Sequence, residues 1–273
     1  MTFKELTNTS TVHIPSAARE LIEAYELLYT WARREFRIRY SQSLMGAAWA
    51  VLQPLALMVI FTVVFSRFLR VPTGDVPYPV FSYVGLLAWT FFANSLTFAI
   101  PSLVNNMNLV SKIYFPREIL PISSIMVAFI DTSIAAVLFI PMLIVYQVPV
   151  GWSALLLPVI LVVQIIFTLG VSLWAAAINV FYRDVRFVVP LALQIWMYLS
   201  PVIYPASQVP EWVRPVYFLN PMAVLIDSYR RILLFDQMPD WPFLGLAAVI
   251  SGAVLILAYR HFKGAERQFA DVI

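Results

Sequence analysis

The chain has 273 residues, of which 61% are hydrophobic and only 12% charged. A soluble domain keeps about a quarter of its residues charged, so this chain cannot present water with a polar enough surface. The net charge of +3 is small and gives no reason to expect a nucleic-acid partner, and the absence of cysteine excludes a disulfide framework or a thiolate metal site.

The first forty residues carry many charges and no apolar core, so no cleavable signal peptide is expected. Pro15 and Ser16 give a helix start signal. Leu21, Tyr25, Leu28, Ala32 and Phe36 then share one stripe, with Glu20, Glu23, Arg33, Arg34 and Arg37 on the remainder. This pattern predicts an amphipathic helix lying in the cytoplasmic headgroup layer.

Six apolar runs follow: Leu44 to Ser66, Val80 to Val104, Ile122 to Tyr146, Ala154 to Val180, Phe187 to Tyr204 and Trp241 to Tyr259. Lipid cannot hydrogen-bond a bare backbone, so each run must be a helix that satisfies its own donors and acceptors. A span needs about 20 mostly apolar residues, a length five runs meet and the fifth reaches only marginally. The expected fold is an all-α membrane protein: a cytoplasmic segment over 1–43, a six-span domain over 44–262 and a cytoplasmic tail over 263–273. With the N-terminus inside, 13 of the 18 lysines and arginines fall on inside segments, which favours both termini in the cytoplasm.

Within the spans, Asp131 lies near the bilayer midplane, where a carboxylate costs a few kcal/mol and faces the bundle interior. No other acid or histidine shares that depth, so a helix lock helped by Thr132 and Ser133 is favoured over a proton or ion carrier. The other midspan polar residues are Gln53, Asn94, Gln164 and Gln194. Amides can glue helices or hydrogen-bond sugar hydroxyls passing through a channel. Aromatic residues stand beside them, which makes Trp49, Gln53, Phe91, Phe92, Asn94, Gln194 and Tyr198 the channel candidates.

Catalytic signals are nearly absent. His13 and His261 lie outside the spans without a second ligand nearby, and no H-E-x-x-H, G-x-S-x-G or phosphate-cradling G-x-x-x-x-G-K-[ST] occurs. The chain is not expected to be an enzyme or to hold a cofactor; if it uses ATP, another subunit must hydrolyse it.

Two internal links combine charge with aromatic rings. They are the stretch from Leu109 to Pro121, with Tyr114, Phe115, Pro116, Arg117 and Glu118, and that from Asn179 to Pro190, with Tyr182, Arg183, Asp184 and Phe187. Each is expected to form a small cytoplasmic helix whose exposed aromatics and arginines make a docking surface. Between spans five and six, Pro205 to Asp240 holds a short piece near Glu211 to Phe218 and a helix opened by Asn220 and Pro221 that reaches about Phe235. At about 1.5 Å per residue that helix is too short to cross, so both pieces are expected to dip into the outer leaflet.

Several segments resemble the permease subunits of ABC transporters that export bacterial polysaccharides, the O-antigen, capsule and teichoic acid exporters. They are Arg39 to Trp49 with Gln53 and Pro54, Lys112 to Glu118, Phe181 to Asp184, Ser200 to Tyr204, and Leu219 to Met222 with Tyr229, Arg230 and Arg231. Their order covers the chain from about residue 20 to its end. The resemblance implies a homodimer in the bacterial cytoplasmic membrane, bound to two ATP-hydrolysing subunits that hold ATP and Mg. It implies docking through Tyr114, Phe115, Pro116, Arg117, Glu118, Arg183 and Asp184. It also implies an exit gate in the outer pieces, with Asn220, Pro221, Tyr229, Arg230 and Arg231 as candidates. The cargo would be a polysaccharide on a lipid diphosphate. Charge rather than the resemblance makes Arg33, Arg34, Arg37 and Arg39, at the cytoplasmic mouth, the candidates to meet that diphosphate. Two other classes compete: an ion-coupled secondary transporter using Asp131, and a membrane transferase acting on lipid-linked sugars.

Overall fold

The structure, a computed structural model, describes residues 25–41, 43–110 and 115–272. Among the described residues the chain is all helix and turn, with no strand. Helix α1, Tyr25–Tyr40, has no proline or glycine to interrupt it, and Glu26 at its start and Arg37 and Arg39 at its end match the helix dipole. The start expected at Pro15 and Ser16 lies outside the described residues. Ala32 of the expected apolar stripe is buried, whereas Tyr25 is exposed.

The first span, Gly46–Phe68, is built from three kinds of turn: a 3₁₀ turn at Gly46–Ala48, α2 (Trp49–Phe61) and a π-helical stretch at Thr62–Phe68. Pro54 inside α2 lacks the N–H that would bond one turn back. The second span is α3, Tyr78–Asn105. It is the most buried of the spans and the first is the least. Pro77 and Pro79 suit the start of α3, where the missing N–H groups would have no partner anyway.

The short α4 (Met107–Val110) follows, then α5 (Ile119–Val137) and α6 (Phe139–Val145), which together form the third span. A 3₁₀ turn at Trp152–Leu156 leads into α7, Leu157–Phe181, the fourth span. Helix α8, Val185–Tyr198, comes next, then a 3₁₀ turn at Ala206–Gln208, the four-residue α9 (Arg214–Tyr217) and α10 (Pro221–Leu234). Helix α11, Trp241–Val272, closes the chain. Its 32 residues give about 48 Å of helix against about 30 Å of hydrocarbon, so it extends well beyond the bilayer.

Among the described residues five helical stretches are therefore long and apolar enough to cross a membrane, and the chain is a multi-pass membrane protein. The fifth apolar run departs from expectation. Its helix stops at Tyr198, giving α8 14 residues and about 21 Å, less than a full crossing. Pro201 cannot donate a helical bond, and the following carbonyls bond elsewhere, as described below. The link Asn179–Pro190 also differs, because α7 ends at Phe181 and α8 opens at Val185, leaving only a turn at 182–184.

The core centres on α3. Phe92 stacks on Phe167 of α7 at 5.5 Å between ring centres and meets Trp196 of α8 edge-on at 5.2 Å. Such pairs add about 0.5–1.5 kcal/mol each beyond their area and fix which helix faces meet. Helix α7 packs along α11, and Gly170 is the point of close approach: a Cβ there would lie 2.9 Å from the Leu255 backbone. A second cluster gathers Leu103, Phe115, Leu120, Val180, Phe262 and Phe269, where α3, α5, α7 and α11 meet the 115–118 link.

Candidate functional site

At the link end of the bundle the chain grips its own internal link. Glu118, fully buried, receives Lys263 Nζ at 2.8 and 2.9 Å on its two oxygens, and the Tyr259 hydroxyl donates to it at 3.3 Å. Arg117 donates to the Glu266 carbonyl, and Lys263 also pairs with Glu266 at 3.1 Å. The start of α5 is thereby tied to the last turns of α11. Lys263, Glu266 and Tyr259 were not singled out from sequence; the signal was Lys263 and Glu266 three residues apart, one helix turn.

Four exposed aromatics were expected on the two links. Phe115 is instead buried in the second cluster, Pro116 is half-buried, and Tyr114 lies outside the described residues. Tyr182 and Phe187 are exposed, at 70% and 66%, with Arg183 and Asp184 exposed between them. Arg186 sits over the Phe187 ring at 4.7 Å.

The second constellation joins α1 to α5. Glu35 accepts from Ser124 Oγ at 2.7 Å and Ser123 Oγ at 3.2 Å. Further on, Arg39 Nη1 lies 2.6 Å from Asp131 Oδ2, and the Tyr40 hydroxyl donates to Asp131 Oδ1 at 2.9 Å. Two fastenings in the same order along both helices make α1 run beside the first half of α5. Thr132 and Ser133 do not help Asp131 as expected; their hydroxyls bond their own backbone, at Ala128 and Phe129. Burial first, and then the bond to Asp131, push the Tyr40 phenol up to about 12.

Three channel candidates meet around the Arg39–Asp131 pair. Trp49, Gln53 and Asn94 line one cavity of about 460 Å³ with Arg39, Asp131, Thr97 and Phe98. The other channel candidates stand apart from it. Phe91 and Phe92 are buried in the core, while Gln194 and Tyr198 are exposed on α8. Arg33, Arg34 and Arg37 are exposed on α1, and Arg34 covers Trp31 at 4.5 Å. Arg39 differs from them: it is committed to Asp131 and lies over the Phe98 ring at 3.7 Å.

The third constellation holds the far end. Asn220 caps α10 by accepting from the Met222 N–H at 3.1 Å, and it also accepts from Trp196 Nε1 at 3.0 Å and donates to Ser200 at 3.0 Å. Pro221 behind it is buried. Tyr229 donates to Gln164 at 2.8 Å, and Gln164 donates onward to the Ala88 carbonyl, so this midspan amide joins helices. Arg231 pairs with Asp227 at 2.7 Å. Arg230 is buried, with its guanidinium on Phe81 and its donors on the carbonyls of Phe81, Pro201, Val202 and Tyr204. Those bonds shape the loop that ends the fifth apolar run. Burial draws Arg230 down to about 9, which leaves it protonated at neutral pH.

The family model for ABC-2 type transporters matches residues 26–234. The chain is 33% identical over 263 residues to the O-antigen export system permease protein RfbA of Myxococcus xanthus, covering 93% of this chain and 98% of that one. It is 26% identical to an O-antigen export system permease protein RfbA of Klebsiella pneumoniae, over 91% and 95% of the two chains. It is 22% identical to the polysialic acid transport protein KpsM of Escherichia coli, over 85% and 91%. None of these relatives supports the ion-coupled or transferase alternative. A match over most of the chain, with a relative this similar end to end, means that the chain belongs to the membrane family of ABC-2 type transporters.

Proposed function

We propose that this chain is the membrane-spanning subunit of an ATP-driven exporter that passes a lipid-linked polysaccharide across the bacterial cytoplasmic membrane. The observation that carries this reading is the end-to-end similarity to permeases named for O-antigen export, in a chain whose sequence has no phosphate-cradling loop. Two copies would form the path, and two ATP-binding subunits holding ATP and Mg would drive it. Helix α8 with the loop after it would complete a sixth pass, leaving both termini cytoplasmic, while α9 and α10 dip into the outer leaflet.

The ATPase would dock on the exposed Tyr182, Arg183, Asp184 and Phe187, beside the link that Glu118 and Arg117 tie to α11. A load on either link would then move α5, α11 and the attached α1 together. Coupling requires that nucleotide favour one arrangement over another, since equal affinity for both moves nothing. Arg33, Arg34 and Arg37 would receive the lipid diphosphate, their charges being exposed on α1. Arg39 is a weaker candidate for that task, because Asp131 already neutralises it.

Co-expression with the partner ATPase and purification through a tag on this chain tests the assembly. The expected result is a stable complex of two copies of each polypeptide, with substrate-stimulated ATP hydrolysis reduced in Arg183→Ala, Asp184→Ala. Unchanged stimulation in an intact complex would remove the docking role from that turn, and failure of any ATPase to co-purify would remove the reading itself.

A further inference from the structure

The cavity of about 460 Å³ between the end of α1 and the faces of α2, α3 and α5 falls in the size range of small-ligand sites. Its walls carry the side-chain amides of Gln53 and Asn94, and neither has a hydrogen-bond partner among the described residues. Each amide offers two donors and an acceptor. Gln53 is exposed and Asn94 half-buried, and an amide at membrane depth without a protein partner needs water or a ligand to satisfy it. Trp49, exposed at 53%, supplies an open indole face. Phe98 does not, because the Arg39 guanidinium already covers its ring.

Charge narrows the ligand class. The single cation, Arg39, stands between two carboxylates: Asp131 at 2.6 Å and Glu35 at 3.6 Å. A phosphate entering here would have to displace Asp131 or sit beside it, and like charges at that range repel. An acyl chain would leave both amides without partners in an apolar surrounding, which is costly. A neutral ring bearing hydroxyls answers both objections, since each hydroxyl both donates and accepts and the C–H face can lie on an indole.

We infer that this cavity binds one neutral sugar residue of the cargo, read by Gln53 and Asn94 against the Trp49 face. The inference rests on the polysaccharide reading above and adds a place and a chemistry to it. Arg39, Asp131 and Tyr40 are positioning residues that fix the cavity's wall by fastening α1 to α5. The exposed Arg33, Arg34 and Arg37 lie within about 9 Å of Arg39 along the helix axis. At about 100° per residue they face away from Arg39 around α1, so the cavity reads its sugar independently of a diphosphate held on them.

The test measures binding to the purified complex of this chain with its ATPase. The probes are a polyprenyl diphosphate alone and the same carrier bearing one glucose, galactose or mannose. At least one hexose should tighten binding roughly tenfold over the bare carrier, about what one or two well-made hydrogen bonds supply. Gln53→Leu and Asn94→Leu should each erase most of that gain, while Arg33→Ala, Arg34→Ala, Arg37→Ala together weaken both probes equally. Asn94→Gln, which keeps the amide, should retain part of the gain and separates lost recognition from lost folding. A wild-type complex that gains nothing from any of the three sugars overturns the inference, as does a gain that survives both leucine substitutions. Either result leaves the exporter reading standing if the same complex still moves lipid-linked polysaccharide; a complex that moves none and binds neither probe overturns both.

Discussion

The buried Glu118 carboxylate holds the Lys263 ammonium on both oxygens, at 2.8 and 2.9 Å, and so fastens the start of α5 to the end of α11. Removing one partner of a buried pair leaves the other charge uncompensated and costs about 3–5 kcal/mol, whereas an apolar pair of similar volume is often tolerated. Glu118→Ala should therefore lower the thermal unfolding midpoint of the purified chain sharply. The double substitution Glu118→Leu, Lys263→Met should recover most of the loss. A fall of less than about 1 kcal/mol in Glu118→Ala would show that the pair does not hold the link.

Asp131 anchors α1 through Arg39 and Tyr40. Replacing Asp131 with Asn keeps the size but leaves Arg39 with Glu35 alone, at 3.6 Å. Amide exchange across α1 should quicken by about tenfold or more while exchange in α3 stays slow, since the damage is local. Uniform exchange in both helices, unchanged from wild type, would mean that α1 is held by its apolar contacts and not by this pair.

A third fastening lies at the far end. Asp236, at φ 47°, turns its carboxylate onto the start of the 152–156 turn, accepting from the Ser153 N–H at 3.1 Å and Ser153 Oγ at 2.8 Å. A Cβ on Gly151 would overlap that carboxylate at 1.8 Å, so Gly151→Ala should displace it and lower stability as Asp236→Ala does. The double variant should be little worse than either single one, because both remove the same contact. The two Ser153 bonds also hold the Asp236 carboxyl below its usual range. A depressed carboxyl stabilises above its unfolded value, about 3.9, and loses that contribution as pH falls through the folded value. Wild type should lose stability more steeply than Asp236→Asn on acidification below about pH 4, as followed by melting temperature.

Arg230 gives four backbone carbonyls their donors. Arg230→Met would strip all four at once, and each buried group left unpaired costs about 1–3 kcal/mol. Limited proteolysis should then cut near 199–205 at concentrations that leave wild type intact. Resistance equal to wild type would mean that the loop is set by its prolines and not by Arg230.

Hydropathy alone made five of the spans legible, because lipid imposes the same length and composition on each. The helix after Asn220 was legible too, since its cap is local: Asn220 bonds the N–H two residues on. The fifth run misled for a physical reason. Phe187 to Tyr204 is apolar but for Gln194 and Ser200, yet the carbonyls after Pro201 are taken by an arginine about 28 residues away, which no local pattern announces. Asp131 was legible as a lock and not in its partners, since Arg39 lies 92 residues upstream. The coincidence of Trp49, Gln53 and Asn94 in one cavity likewise depends on how α2 and α3 face each other. Phe115 was misjudged as exposed because an aromatic beside charges looks the same whether it points at a partner or into a cluster.

The central claim is that this chain carries polysaccharide only when an ATP-hydrolysing partner drives it. Proteoliposomes holding this chain with that partner, or this chain alone, can be loaded with a lipid-linked glycan and assayed for sugar appearing in the protected compartment. Accumulation that needs both polypeptides and ATP, and that a collapsed proton gradient does not reduce, is the predicted result. Accumulation by the lone chain, or transport that follows the ion gradient and ignores ATP, would contradict the account.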